Sequence, residues 1–151
     1  MNTTDNTSRL HKTWNTSYLL NISMIDKQHA KFFELFDKLQ ILNKQQEFYD
    51  DLEPVITELE KYTKIHFQTE EALMRKANSP EYESHLTQHS IFNKKVEEFR
   101  LAYSYKNSVL LEQMINFMRK WFLIHIAEVD GKYVDSVQKF MFDTGWKKNN
   151  I

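Results

Sequence analysis

Residues 62–89 read YTKIHFQTEEALMRKANSPEYESHLTQH, two helical runs on either side of a break at Asn78-Ser79-Pro80. The first run carries His66 and Glu70, and the second carries His85 and His89, each pair four residues apart. Side chains four apart on a helix lie one above the other on the same face. A helical hairpin over this stretch therefore turns two pairs of metal-capable side chains toward one point. Imidazole together with carboxylate suits iron, zinc or manganese.

Elements able to position these groups follow from the apolar spacing. A first helix, expected over 25–43, places Ile25, Phe32, Phe36 and Leu39 at intervals of three or four, with His29 inside that stripe. A second, over 50–77, runs along Val55 or Ile56, Leu59, Tyr62, His66, Glu70, Leu73 and Ala77. Pro54 fits its first turn if the regular helix starts there. A charged Glu70 in an apolar stripe needs a partner or a metal, whereas Glu71 beside it reads as a solvated neighbour. The third helix, over 81–104, carries Tyr82, His85, His89, Phe92, Val96, Phe99 and Tyr103 on one face. The fourth, over 108–142, carries Leu111, Met114, Met118, Trp121, His125 and Val129. Four amphipathic helices with short connections predict an all-α, antiparallel up-down-up-down bundle. The domain is expected over 23–145, with an N-terminal arm over 1–22 packed on it and a C-terminal tail over 146–151.

Composition agrees with this class. The chain has 151 residues, a one-domain length, and only two Gly and two Pro to interrupt long helices. Eleven Phe, seven Tyr and six Met supply a core. A formal net charge of −1 favours neither nucleic acid nor an anionic membrane. The absence of cysteine excludes disulfides, iron–sulfur clusters and thiolate zinc sites, and fits a reducing, cytoplasmic setting. No apolar run approaches the roughly 18 residues of a membrane span, and the sequence MNTTDNTSRLHK lacks the apolar core of a signal peptide.

Five of the six histidines fall on inward stripes of four helices; His11, in the polar arm, reads as solvent-facing. One such histidine is ordinarily a hydrogen-bonded core residue. Five with a glutamate have no simple way to be satisfied except a shared partner, which a metal centre supplies. Asp130 is ambiguous on spacing. It follows His125 by five residues, about 140° around a regular helix. Asp130-Gly131 reads as a turn at a helix end. Its alternative role as a ligand requires a local π-type distortion, or a target as wide as two metals.

The motifs resemble the bacterial hemerythrins, the bacteriohemerythrins. Trp14 precedes Ile25-Asp26-Lys27-Gln28-His29; His66-Phe67-Gln68-Thr69-Glu70-Glu71 follows with Met74; then His85-Leu86-Thr87-Gln88-His89 with Phe92; then His125-Ile126 with Asp130 and Tyr133. The resemblance implies a non-haem centre of two Fe ions with an oxo or hydroxo bridge. Carried over, His85, His89 and His125 hold one iron, His29 and His66 the other, and Glu70 and Asp130 bridge both. It also favours the ligand reading of Asp130. Two departures fall outside the ligand set: Asn21 and Ser79 stand where the family often has Gly and Tyr.

The function implied by the resemblance is reversible binding of molecular oxygen by a non-enzymatic, monomeric carrier, store or delivery protein, with any protein recipient of the oxygen unidentified. A ferritin-like di-iron oxidase is the nearest enzyme alternative, but such sites are richer in carboxylates. Peroxide or nitric oxide chemistry at a hemerythrin-like centre stays open, as does sensing through a separate partner. A structural zinc bundle needs four ligands rather than seven.

Overall fold

The structure, a computed structural model, describes residues 19–146. The expected arm and tail, with His11, Trp14 and Tyr18, fall almost wholly outside that range. Helix α1 spans Ser23–Leu42, α2 spans Tyr49–Lys76 and α3 spans Tyr82–Ser104. The fourth strut is a composite. Helix α4, Leu110–Trp121, passes into a π-helical stretch Phe122–Val129, a 3₁₀ turn Asp130–Tyr133 and a final helix α5, Val134–Thr144. Among the described residues every element is helical, and the four struts form the antiparallel bundle the stripes predict. No helix among them is long and apolar enough to cross a membrane.

Local chemistry sets the helix ends. Asn78 and Lys106 take left-handed backbone conformations, φ 50° and 53°, just past α2 and α3. At the first, the Ser79 amide donates to the Met74 carbonyl and the Asn78 amide to that of Arg75. At the second, Asn107 donates to Ala102 and Lys106 to Tyr103. Both are Schellman caps, which satisfy orphan carbonyls and turn the chain sharply. Asparagine tolerates the left-handed region, so Asn78 suits the turn that brings α3 back beside α2. The expected placing of Pro54 in the first turn needs one correction. The helix begins at Tyr49, so Pro54 lies inside it, just beyond the first turn. Proline has no N–H, so it denies the Asp50 carbonyl its i+4 donor, and Asp50 is an exposed residue.

Two apolar clusters fill the bundle. The larger includes Phe32, Phe36, Leu39, Leu59, Phe92, Phe99, Met114 and Met118. The smaller comprises Ile22, Ile25, Leu73, Met74, Tyr133 and Val137. On α1 the change from one to the other occurs between Ile25 and Phe32, where His29 sits. The other candidate ligands occupy the same level of the bundle, a polar layer between two dry ones.

Candidate metal centre

His29, His66, Glu70, His85, His89, His125 and Asp130 are all at most 2% exposed. An α-helical turn on α2 stacks His66 under Glu70, their Nε2 and Oε1 atoms 2.8 Å apart. The fourth strut reaches the same result differently. The Asp130 amide donates to the His125 carbonyl, five residues back. That wide turn brings i+5 over i, as an ordinary turn brings i+4. It removes the 140° offset and places His125 Nε2 2.9 Å from Asp130 Oδ1. The helix-end reading of Asp130 is therefore not what the fold adopts; the strut continues through it.

All five Nε2 atoms converge on the two carboxylates, and each carboxylate divides its oxygens between two histidine groups. Glu70 Oε1 lies 2.8 Å from His66 and 3.4 Å from His29, while Oε2 lies 3.1 Å from His89. Asp130 Oδ1 lies 2.9 Å from both His85 and His125, while Oδ2 lies 3.0 Å from His29. Two overlapping sets, Glu70-His85-His89-His125 and His29-His66-Glu70-Asp130, each bring their donor atoms within 4.8 Å of one another. Several of these close approaches are not hydrogen bonds: Nε2 of His29, His89 and His125, Oε2 of Glu70 and Oδ2 of Asp130 have no hydrogen-bond partner. Buried polar atoms left so are costly unless something else satisfies them. Nitrogen lone pairs and carboxylate oxygens aimed at common points fit metal ions.

The electrostatics match. Burial works against ionised Glu70, but His66 beside it and the approaches of His29 and His89 outweigh it and hold the carboxyl well below its ordinary range. Burial and Glu70 push Asp130 upward, and His125, His29 and His85 overcome them to hold it low. Burial lowers His29, yet Asp130 and Glu70 together raise it to about 9. Burial dominates at His66 and lowers it. At Tyr133, burial and the two carboxylates push the phenol well above 10, so it stays protonated and donates to Glu70 Oε1 at 3.4 Å.

The ring orientations depend on residues that spacing alone does not single out. Gln28 Oε1 sits 2.7 Å from His66 Nδ1. Its Nε2 donates to Thr69 Oγ1, whose hydroxyl donates to the Ile65 carbonyl. That chain makes Gln28 Oε1 the acceptor, puts the proton on His66 Nδ1 and leaves the Nε2 lone pair facing inward. Gln88 Oε1 does the same for His125 Nδ1 at 2.7 Å. Each glutamine directly precedes a candidate ligand, yet each serves a histidine on another helix, because adjacent residues point about 100° apart around the axis. Glu71 is not the solvated neighbour expected. Its carboxylate accepts from His89 Nδ1 at 2.8 Å and its side chain is 28% exposed. Phe67 stacks on His89 with ring centroids 3.8 Å apart, and Trp121 stacks on His125 at 4.1 Å.

Comparison with known proteins agrees with this geometry. Residues 20–136 match the model of the hemerythrin HHE cation binding domain. A bacteriohemerythrin from Clostridium acetobutylicum is 32% identical over 126 residues, covering 81% of this chain and 98% of the relative. One from Pseudomonas aeruginosa is 30% identical over 131 residues, 87% of this chain and 84% of that protein. One from Campylobacter jejuni is 27% identical over 115 residues, 76% and 86% respectively.

The chain belongs to the hemerythrin family. Membership implies a non-haem iron site, and the hemerythrin donor set here fits one: five inward imidazole nitrogens and two ionised carboxylates, buried in a bundle core and held by hydrogen bonds from outside the cluster.

Proposed function

We propose that this hemerythrin binds molecular oxygen reversibly at a centre of two irons, as a monomeric cytoplasmic carrier, store or delivery protein that turns over no organic substrate. His85, His89 and His125 would hold one iron and His29 and His66 the other, with Glu70 and Asp130 offering an oxygen to each. The observation that supports this most directly is the division of each carboxylate's two oxygens between the two histidine groups. One metal would have no use for that arrangement. When bound, a reduced iron pair supplies a seat for a small diatomic ligand and the electrons to hold it reversibly.

The chain's own residues supply the rest. Gln28, Gln88 and Glu71 fix three rings with Nε2 inward. Tyr133 keeps its proton and donates it toward Glu70. Phe32, Phe67 and Trp121 pack against the imidazoles, with Phe92 behind Phe32 and Trp121, and exclude water, which limits loss of an oxidising ligand to solvent.

The test is anaerobic iron loading, a metal count, and visible spectra over repeated cycles of air and argon. Two irons per chain and a visible band that rises in air and vanishes under argon are expected. Full occupancy by one zinc with iron failing to bind overturns the metal assignment. Irreversible oxidation within one cycle overturns carriage and favours a redox enzyme or sensor.

A further inference from the structure

His89 and His125 are held in the same way except for one charge. Both belong to the three-histidine group. An aromatic ring fixes each imidazole plane: Phe67 lies within 4° of parallel to His89, and Trp121 within 14° of parallel to His125. One acceptor then fixes each Nδ1 proton. At His125 the acceptor is the neutral amide of Gln88, 2.7 Å away; at His89 it is the carboxylate of Glu71, 2.8 Å away. At the two-histidine group the corresponding acceptor, on His66, is again an amide, Gln28. Glu71 is thus the one carboxylate among the Nδ1 acceptors of the described cluster.

A carboxylate draws the Nδ1 proton toward itself more strongly than an amide does, and so raises the basicity of Nε2 on the far side of the ring. A more basic nitrogen stabilises a ferric ion more than a ferrous one. We propose that Glu71 is a positioning residue that makes the His89 side of the centre electron-rich and so sets the ease with which the irons are oxidised. This inference rests on the di-iron reading. It gives the conspicuous pair Glu70-Glu71 two different tasks: Glu70 toward the metals, Glu71 toward the back of a ligand.

The test uses four iron-loaded proteins: the unsubstituted chain, Glu71→Gln, Gln88→Glu and Glu97→Gln. Glu97 lines the same surface groove as Glu71 but has no place in the cluster, so it reports the effect of deleting a nearby charge alone. Iron is counted first, then the midpoint potential and the rate of oxidation in air are measured. Glu71→Gln is expected to favour the ferrous state by about tenfold, an upward shift of about 59 mV for a one-electron step, and to slow oxidation. Gln88→Glu is expected to shift the potential downward, and Glu97→Gln to shift it much less than Glu71→Gln. Fewer than two irons in the unsubstituted protein overturns the di-iron reading itself. Two irons with no shift in Glu71→Gln, or an equal shift in Glu97→Gln, overturns the role of Glu71. If Glu71→Gln fails to hold iron, the direction of the Gln88→Glu shift decides.

Discussion

Helix α2 and the fourth strut each deliver one histidine and one carboxylate to the same layer, by different means. On α2, His66 and Glu70 are four residues apart and need nothing beyond ordinary helical geometry. On the fourth strut, His125 and Asp130 are five apart and meet only because Phe122–Val129 is wound as a π-helix. Such windings are rare and concentrate at functional sites, since they sacrifice regular hydrogen bonding. A spacing of four is thus supported locally, whereas a spacing of five is held by what the two side chains do together.

The largest expected effect tests whether the two carboxylates are equal partners despite this difference. On the proposed two-iron reading, Glu70→Ala and Asp130→Ala should each reduce iron binding to one per chain or none and remove the metal's contribution to folding. Metal counts and thermal unfolding with and without iron check this. Retained binding of both irons by either variant would break the symmetry inferred from their divided oxygens.

Next in size is removal of the extra residue. Deleting Ala127 makes the spacing four, as on α2. The strut should rewind as a regular α-helix with its two ends still on their original faces. Iron affinity is expected to fall while the metal-free protein melts at a higher temperature, because strained winding is relieved at the cost of ligand placement. A deletion that leaves iron affinity unchanged would show the π-helix to be incidental to the metal.

Replacing the orienting amides should cost less. Gln28→Ala acts on α2's His66 and Gln88→Ala on the strut's His125, and each should weaken iron binding by roughly 10- to 100-fold. Competition with a metal chelator measures both. If the π-helical row is the less well supported, Gln88→Ala has the greater effect.

A smaller effect concerns His29, which approaches a carboxylate from each row. In the metal-free protein its pKa is raised from 6.5 to about 9. A raised pKa stabilises the fold fully below 6.5 and less as pH rises through 9, a contribution of roughly 3 kcal/mol. Denaturant unfolding of the metal-free protein should therefore show stability declining from pH 6.5 to 9. The iron-loaded protein should lack this decline, because its ring nitrogen binds metal rather than a proton.

The smallest effect lies outside the centre. Arg100 on α3 reaches Glu53, Thr57 and Glu60 on α2 at 2.8–3.0 Å. This partly exposed network fastens two regular helices, so Arg100→Ala should cost at most about 1 kcal/mol by denaturant unfolding and leave iron stoichiometry unchanged.

The sequence alone determined three regular helices, the course of the fourth strut and the inward faces of His29, His66, Glu70, His85, His89 and His125; the breaks within that strut it did not show. Apolar spacing near 3.6 and ligand pairs four apart are properties of one helix at a time, so they can be read along the chain. Spacing by itself left Asp130 as an alternative, because turn chemistry and π-winding are consistent with the same Asp-Gly; the resemblance favoured the ligand reading. The tertiary structure decided between them by surrounding its oxygens with His29, His85 and His125. It also decided Glu71. Next to Glu70 in the chain, that residue reads as solvated until α3 supplies His89 at 2.8 Å. Gln28 and Gln88 were visible in the motifs, but their partners lie 38 and 37 residues away. Periodicity tells which way a side chain faces; it cannot tell what a neighbouring helix places in front of it.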